Sequence, residues 1–251
     1  MRATRHQWIL DYINHNRTAN VGELSKLCGV SPATIRRDLN YLQGQGNIDR
    51  VRGGAVLNKE QVEPFVLPRA TMQHEAKQRI GRAAADLISD GETIIISTGT
   101  TTEAMVPFLT EKKGLTVITN ALNICYRLSQ YEHITTIVLG GFLRHHEYDL
   151  LGHITENSLS DLVASKLFRG ISGIHCKQGL SGTNVMHVRT DRIMIEQVQE
   201  LIILADHTKF FRTGSVHLGP INIASTIITD VDAPTEEVGW IRELGVNLIL
   251  V

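Results

Sequence analysis

The chain has few of the residues that build disulfide frameworks, membrane spans or secretion signals. Its three cysteines, Cys28, Cys125 and Cys176, are widely spaced and include no C-x-x-C pair. This spacing argues against a disulfide scaffold and against a thiolate metal site. No apolar run approaches the roughly 20 residues of a membrane helix, and the polar N-terminus does not resemble a signal peptide. We therefore expect a cytoplasmic protein that makes no membrane contact.

Aromatic residues make up only 5% of the 251 residues, and the net charge of −1 is close to zero. The small net charge conceals two parts of opposite sign. Residues 1–58 carry eight basic and four acidic side chains, which leaves 17 of the 25 basic and 22 of the 26 acidic residues for the remainder. The basic first part suits neutralisation of nucleic-acid phosphates. The apolar fraction of 42% is typical of a globular protein.

Residues 31–42 have the pattern of a helix with one apolar and one basic side. Ser31 is a preferred N-cap, and Pro32 fits the first helical position. Ile35, Leu39 and Leu42 recur at helical spacing and are expected to pack inward. An Arg-Arg pair on such a helix is often only a solvated face. The residues of this helix that we expect to contact DNA are Ser31, Pro32, Ala33, Thr34, Arg36, Arg37 and Asn40.

The flanking segments complete a winged helix-turn-helix pattern. Arg5–Asn16 and Val21–Cys28 carry apolar residues at helical spacing, and a polar break separates them. A turn of about three residues around Gly29 then leads to the third helix, as in helix-turn-helix motifs. Asn47–Val56 is predicted to form a β-hairpin, and we expect Arg50 and Arg52 on this wing to contact DNA.

Several runs in this segment resemble the DNA-binding domain of the DeoR family of bacterial transcription regulators. They include Val21–Leu24, Val30–Asn40 and Arg52–Ala55. The resemblance implies a winged helix-turn-helix joined to a C-terminal sugar-phosphate sensor, usually in a repressor of a carbohydrate operon.

We predict three parts along the chain: a DNA-binding domain at 1–57, a linker at 58–73, and an effector-binding and oligomerisation domain at 74–251. Pro64, Pro68 and mixed charges suit an extended linker.

Beyond the linker, strands and helices alternate, which predicts an α/β fold with a mainly parallel sheet covered on both faces. The predicted strands are 93–97, 116–119, 135–139, 168–173, 201–205, 225–229 and 247–251. The predicted helices are 75–88, 103–109, 121–128, 156–164, 190–199 and 235–244.

In such sheets, ligands bind beyond the carboxyl ends of the strands. The run Ser97–Thr102 follows the first predicted strand and offers a glycine, hydroxyls and backbone N–H groups at a helix start, which suits a phosphate. A tight turn with Ser and Thr caps remains the alternative for this run. The full set of expected effector contacts is Ser97, Thr98, Gly99, Thr100, Thr101, Asn120, Gly140, Gly141, Arg144, Asp206 and Lys209.

The resemblance continues through this second domain, from Gly91–Thr101 to Ala205–Phe210. It implies the DeoR-type sensor, whose fold is related to ribose-5-phosphate isomerase and CoA transferases. The sequence departs from the family pattern at two positions. Ser97 stands where the family usually has Asp, and Asp191 stands about where Lys is common. Both departures change the charge of the predicted pocket.

The sequence predicts a repressor that binds a double-stranded DNA operator and a small sugar or sugar-phosphate effector, as a homodimer or larger homo-oligomer. We expect no cofactor and no metal site, because the eleven histidines show no metal-ligand spacing. The competing hypothesis is a sugar-phosphate isomerase-type enzyme with an accessory DNA-binding domain. Asp206 and Glu147 are its candidate general bases. A third hypothesis, a winged-helix module that binds only protein, fits the basic first part poorly.

Overall fold

The structure is a computed structural model and describes residues 2–16, 18–44, 48–57 and 66–251. The chain divides into two compact units, Met1–Pro64 and Phe65–Val251. Each unit is described separately below. Within the described residues, no helix combines the length and the apolar character needed to cross a bilayer.

The first unit contains three helices and a small antiparallel sheet. Its elements are α1 (Arg2–Asn16), β1 (Thr18–Asn20), α2 (Val21–Cys28), α3 (Pro32–Gly44), β2 (Ile48–Val51) and β3 (Gly54–Leu57). The sheet order is β1-β3-β2. The predicted three helices and the wing are confirmed, whereas the predicted polar break after the first helix contains strand β1. A Cβ atom at position 54 would lie 2.1 Å from Ala19 O, so the close pairing of β1 with β3 requires Gly54.

Local sequence signals explain where the helices of the first unit begin and end. Asn20 caps α2 because its Oδ1 accepts from Gly22 N at 2.8 Å. Gly29 ends α2 at φ +63°, a conformation that glycine adopts without strain. Ile35 and Leu39 of α3 are fully buried and pack into one core with α1 and α2. The apolar stripe predicted for α3 is therefore confirmed.

The second unit alternates strands and helices, as predicted. Its first half contains α4 (Val66–Thr71), α5 (His74–Asp86), β4 (Thr93–Ile96), α6 (Thr100–Glu103), a 3-10 turn (Val106–Leu109), β5 (Thr116–Thr119), α7 (Leu122–Leu128), β6 (Thr135–Val138), β7 (Phe142–Arg144), β8 (Asp149–Leu151) and α8 (His153–Ser160). Its second half contains β9 (Ala164–Gly170), β10 (Gly173–His175), β11 (Gly179–Gly182), α9 (Val185–Glu196), β12 (Val198–Leu204), a 3-10 turn (His207–Lys209), β13 (Val216–Gly219), a 3-10 turn (Ile221–Ile223), β14 (Thr226–Thr229), α10 (Thr235–Glu243) and β15 (Asn247–Leu250).

A seven-stranded sheet organises the second unit. Its order is β15-β14-β12-β9-β4-β5-β6, and every pairing in it is parallel. Ile95 packs into the apolar cluster on one face, and Ile94 and Ile96 pack into the cluster on the other. Burial on both faces explains the continuous apolar run of β4. The predicted α/β fold is confirmed, and the carboxyl ends of all seven strands lie along one edge.

Several features of the second unit differ from the sequence predictions, including the helices predicted at 103–109 and 156–164, which are α6 with the following 3-10 turn and α8 at 153–160. The strand predicted at 168–173 covers 164–170, and the helix predicted at 190–199 begins at Val185. A small antiparallel sheet, β10-β11-β13, and the hairpin β7-β8 were not predicted. Val66–Thr71 is helical rather than extended, because Val66 is buried against the unit and Pro68 lies in the first turn, where proline is tolerated. Residues 58–65, the rest of the predicted linker, lie outside the described residues.

Candidate functional site

The predicted DNA-contacting residues of α3 lie on its solvent side. Ser31, Pro32, Ala33, Arg36, Arg37 and Asn40 are exposed, and Thr34 is half-buried. Ser31 Oγ accepts from Thr34 N at 3.2 Å, as the N-cap prediction requires. The basic side of α3 is therefore available to a partner.

Asp38 faces the opposite way and ties α3 to α1. Its carboxylate is 1% exposed and accepts from Arg5 Nε at 2.7 Å and from Arg5 Nη2 at 3.2 Å. His6 Nε2 lies 2.8 Å from the same carboxylate. Burial alone would raise the pKa of Asp38, but the hydrogen bonds and charges of Arg5 and His6 lower that pKa below its usual value. Asp38 therefore fixes the orientation of α3, a role that the sequence prediction missed.

The two wing arginines differ in their surroundings. Arg50 Nη1 donates to Asn40 Oδ1 at 3.1 Å and to Arg36 O at 3.3 Å, so Arg50 joins the wing to α3. Arg52 is exposed in the turn between β2 and β3. Of the two, Arg52 has the more open position for a phosphate contact.

In the second unit, most of the loop after β4 is buried from solvent. Ser97 and Thr102 are fully buried, and Thr98 and Thr101 are nearly so. Thr102 Oγ1 donates to Gly99 O at 2.8 Å, and Thr98 Oγ1 donates to Glu147 O at 3.3 Å. Gly99 and Thr100 are half-exposed and form the open part of the loop. We call residues 97–102 the threonine loop.

A buried charged cluster lies against the start of the threonine loop. Ser97 Oγ donates to Asp191 Oδ1 at 3.3 Å, and Asp191 forms an ion pair with Arg169. Arg169 is 2% exposed and also donates to Gly170 O at 2.8 Å. His187 Nε2 lies 3.5 Å from Asp191 Oδ1. This group places one buried carboxylate and one buried guanidinium beneath the predicted site.

Burial and charge act together on the pKa values in this cluster. Burial alone would raise the pKa of Asp191, but the charge of Arg169 and the hydrogen bonds from Arg169 and the Ser97 hydroxyl lower it below its usual value. Burial lowers the pKa of His187. Asp191 is therefore ionised and His187 neutral near pH 7.

Asn120 follows β5, and Arg144 ends β7 in the hairpin β7-β8. Asn120 is fully buried, and its Nδ2 donates to Leu150 O at 3.1 Å. Asn120 Oδ1 is buried without a hydrogen-bond partner among the described residues. Arg144 binds Asp149 with two hydrogen bonds of 2.9 and 2.6 Å. The predicted bidentate partner of a phosphate thus already holds a carboxylate in two-point contact.

The remaining predicted contacts follow β6 and β12. Gly141 has a φ of +151°, and a Cβ atom there would lie 2.2 Å from Thr155 Oγ1. The preceding Gly140 accepts from Thr155 Oγ1 at 2.6 Å, so both glycines are packed against α8. Asp206 is buried and caps the 3-10 turn by accepting from Thr208 N at 3.0 Å, and Lys209 is half-buried. Because β9 separates β12 from β4, the strand that leads into Asp206 lies about 10 Å across the sheet from the strand that leads into the threonine loop.

Comparison with known proteins gives matches to both units. The model of the DeoR-like helix-turn-helix domain matches residues 5–61, and that of the DeoR C terminal sensor domain matches residues 72–231. The chain belongs to the DeoR family of transcription regulators. The glycerol-3-phosphate regulon repressor of Escherichia coli is 35% identical over 98% of each chain. The putative aga operon transcriptional repressor, also from Escherichia coli, is 30% identical over 98% of this chain and 93% of that one.

Two solved structures are similar to part of the fold. Ribose 5 phosphate isomerase A from Neisseria gonorrhoeae aligns with 56% of this chain and 55% of its own, at 15% identity and a TM-score of 0.41. The beta subunit of eIF2B from Chaetomium thermophilum aligns with 68% of this chain and 53% of its own, at 15% identity and a TM-score of 0.46.

The two departures from the DeoR pattern prove to be neighbours in space. Ser97 and Asp191 are hydrogen-bonded to each other, although 94 residues separate them in the chain. A carboxylate is therefore present beside the threonine loop, supplied by α9 rather than by the loop, and Arg169 balances its charge.

Sequence reasoning missed Arg169 and His187 as members of this edge. The available signal was the arginine inside the strand predicted at 168–173, since a charged residue in a buried strand needs a partner. The structure also brings His207, Asp230 and Asp232 together, with their ligand atoms within 4.8 Å of one another. Asp230 accepts from both His207 N and His207 Nδ1 at 2.6 Å, so hydrogen bonds within the fold account for this contact.

Proposed function

We propose that this DeoR-family protein is a transcription repressor whose first unit binds an operator and whose second unit binds a small sugar or sugar-phosphate effector. The exposed basic side of α3 carries the first part of the proposal. Arg36 and Arg37 project from a helix whose inner side is fixed by the buried contact of Asp38 with Arg5. A helix held in this way presents both arginines from a fixed backbone, as a recognition helix that enters a major groove requires.

The threonine loop supports the second part of the proposal. Its half-exposed Gly99 and Thr100 lie at the carboxyl edge of a parallel sheet, where ligands of such folds bind. The buried, unpartnered Asn120 Oδ1 is an acceptor that suits a ligand hydroxyl. Arg144 and Arg169 each already bind a carboxylate. We therefore expect hydrogen bonds to sugar hydroxyls to contribute more to effector recognition than ion pairs with these two arginines.

The candidate bases of the competing isomerase are both committed to structural contacts. Asp206 accepts from Thr208 N and from the Thr208 hydroxyl, and Glu147 forms an ion pair with Arg69. A general base needs a carboxylate within reach of the substrate carbon acid. These contacts favour the regulator over the enzyme.

Operator binding is tested with the full-length protein and a random duplex library. We expect selection of a two-fold symmetric sequence with half-sites about 10 base pairs apart, because two copies of α3 would read adjacent major grooves. The affinity should fall steeply as salt rises, since phosphate contacts release counterions. The mass of the complex should correspond to two chains per duplex. Failure to enrich any sequence above random duplex would refute the proposal.

Effector binding is tested by thermal unfolding with matched pairs of free sugars or polyols and their monophosphates, including glycerol and glycerol 3-phosphate. A compound that binds only the folded state at 100 times its Kd adds about 2.7 kcal/mol of stability and raises the unfolding temperature. We expect at least one compound of one pair to raise the unfolding temperature and also to change the affinity of the protein for its operator. Consumption of the compound during the assay would instead favour the isomerase.

A further inference from the structure

The first described element of the second unit, α4, is bound to a turn that also contacts the threonine loop. This turn, residues 145–148, connects β7 to β8, and we call it the rim turn. Val66 N donates to His146 O at 3.1 Å, and Arg69 forms an ion pair with Glu147. The side chains of this pair are only 12% and 10% exposed. The start of the second unit is therefore fastened to the rim turn by a largely buried charge pair.

The other side of the rim turn faces the candidate effector site. Thr98 Oγ1 donates to Glu147 O at 3.3 Å, so one residue contacts both the threonine loop and α4. Leu122 N, which follows β5, donates to Tyr148 O at 2.7 Å. A displacement of the threonine loop would thus act directly on Glu147.

Further contacts connect the rim turn and α4 to their surroundings. Arg144 and Asp149 close the base of the rim turn through their bidentate ion pair. Lys77, which is 4% exposed, donates to Arg69 O at 2.6 Å and to Met72 O at 2.7 Å, and so holds the end of α4 on α5. Coupling between two sites requires such a connected element, whose arrangement both sites can bias.

We propose that the Arg69–Glu147 ion pair couples the effector site to operator binding, with both residues acting as positioning residues. The inference rests on the proposed function. A ligand on the threonine loop shifts Glu147, and the ion pair with Arg69 transmits this shift to α4. Helix α4 begins one residue into the second unit, so it follows directly in the chain after the DNA-binding unit and its connection. Because binding linkage is reciprocal, operator DNA must in turn alter the threonine loop.

The test needs no knowledge of the effector. Amide hydrogen exchange of full-length protein is measured for residues 97–102 and 145–149, with and without a saturating duplex selected from a random library. In the wild type we expect the duplex to change exchange by about threefold or more in both segments. Arg69→Gln should abolish the change in residues 97–102 while its Kd for the duplex stays within about twofold of wild type. The charge-reversed double variant, Arg69→Glu with Glu147→Arg, should restore it.

The Lys166–Glu92 ion pair provides a matched control. Its side chains are 12% and 19% exposed, and it lies near the amino ends of β4 and β9, away from the rim turn. Lys166→Gln should leave the DNA-dependent change at its wild-type size.

Three results would overturn the coupling. They are a DNA-dependent change that survives in Arg69→Gln, an equal loss in Lys166→Gln, and a wild-type protein that binds its duplex without any change in residues 97–102. Should Arg69→Gln fail to fold, Glu147→Gln carries the same expectation. Failure of the proposed function is distinct, because then no duplex is selected.

Discussion

Replacing Asp191 with asparagine should lower the free energy of unfolding of the second unit by about 3 kcal/mol. The substitution removes the anionic partner of Arg169, whose side chain is 2% exposed and cannot reach water. An unpaired buried guanidinium costs far more than the hydrogen bond that is lost with it. The buried charge pair beside the threonine loop is therefore expected to contribute strongly to the stability of this unit.

Unfolding in denaturant, followed by tryptophan fluorescence, measures this loss. The chain has two tryptophans, and Trp8→Phe leaves Trp240 as a reporter in the second unit. Adding Arg169→Met to Asp191→Asn should recover most of the lost stability, because it removes the orphaned charge. Glu92→Gln should cost less than Asp191→Asn, because the Lys166 and Glu92 side chains are 12% and 19% exposed and the ammonium left by the substitution can reach water. Equal losses from Glu92→Gln and Asp191→Asn would contradict the expectation.

The same cluster sets the direction of the pH dependence. The pKa of His187 is lowered in the folded state, so acid favours the unfolded chain, which takes up the proton more readily. Stability should begin to fall below about pH 6.5, the ordinary pKa of histidine. The lowered pKa of Asp191 adds a second loss below about pH 4 as the carboxylate is protonated. His187→Gln should flatten the first part of this decline and leave the second.

The sequence was informative wherever short-range patterns decide the structure. The start of α3 follows from a Ser N-cap and a Pro at the first helical position, and its inner face from three apolar residues at helical spacing. Strand β4 follows from three consecutive isoleucines between turn residues, which a sheet covered on both faces buries completely. Because all the strands of such a sheet are parallel, their carboxyl ends lie at one edge, and the alternation of strands and helices is enough to predict the candidate site there.

The sequence was uninformative where distant residues meet. Asp38 turns inward because it binds Arg5 and His6. These partners lie 33 and 32 residues before it in the chain, and no residue near Asp38 signals them. Asp191 meets Ser97 across 94 residues. The short strands β10 and β11 are rich in glycine, which has low β propensity, so pairing rather than local preference creates them.

Replacing Arg36 and Arg37 together with alanine should weaken operator binding by between about tenfold and several hundredfold. An arginine that contacts a base contributes about 1–3 kcal/mol of binding free energy. One that contacts a phosphate steepens the plot of log affinity against log salt concentration by about one unit of slope. Both side chains are exposed on α3, and alanine is a better helix former than arginine, so the fold of the helix should persist.

Titration of the selected duplex at several salt concentrations separates the two kinds of contact. If one arginine contacts a phosphate, the salt slope should become shallower in the double variant, whereas a base contact should weaken binding at every salt concentration and relax the preference for one base pair. Arg242→Ala removes another exposed arginine, from α10 in the second unit, and should leave Kd within about twofold of wild type. Wild-type affinity and slope in the double variant would show that α3 is not the helix that reads DNA. The basic face of α3 would then be a solvated surface, and operator binding would have to be sought on another part of the first unit.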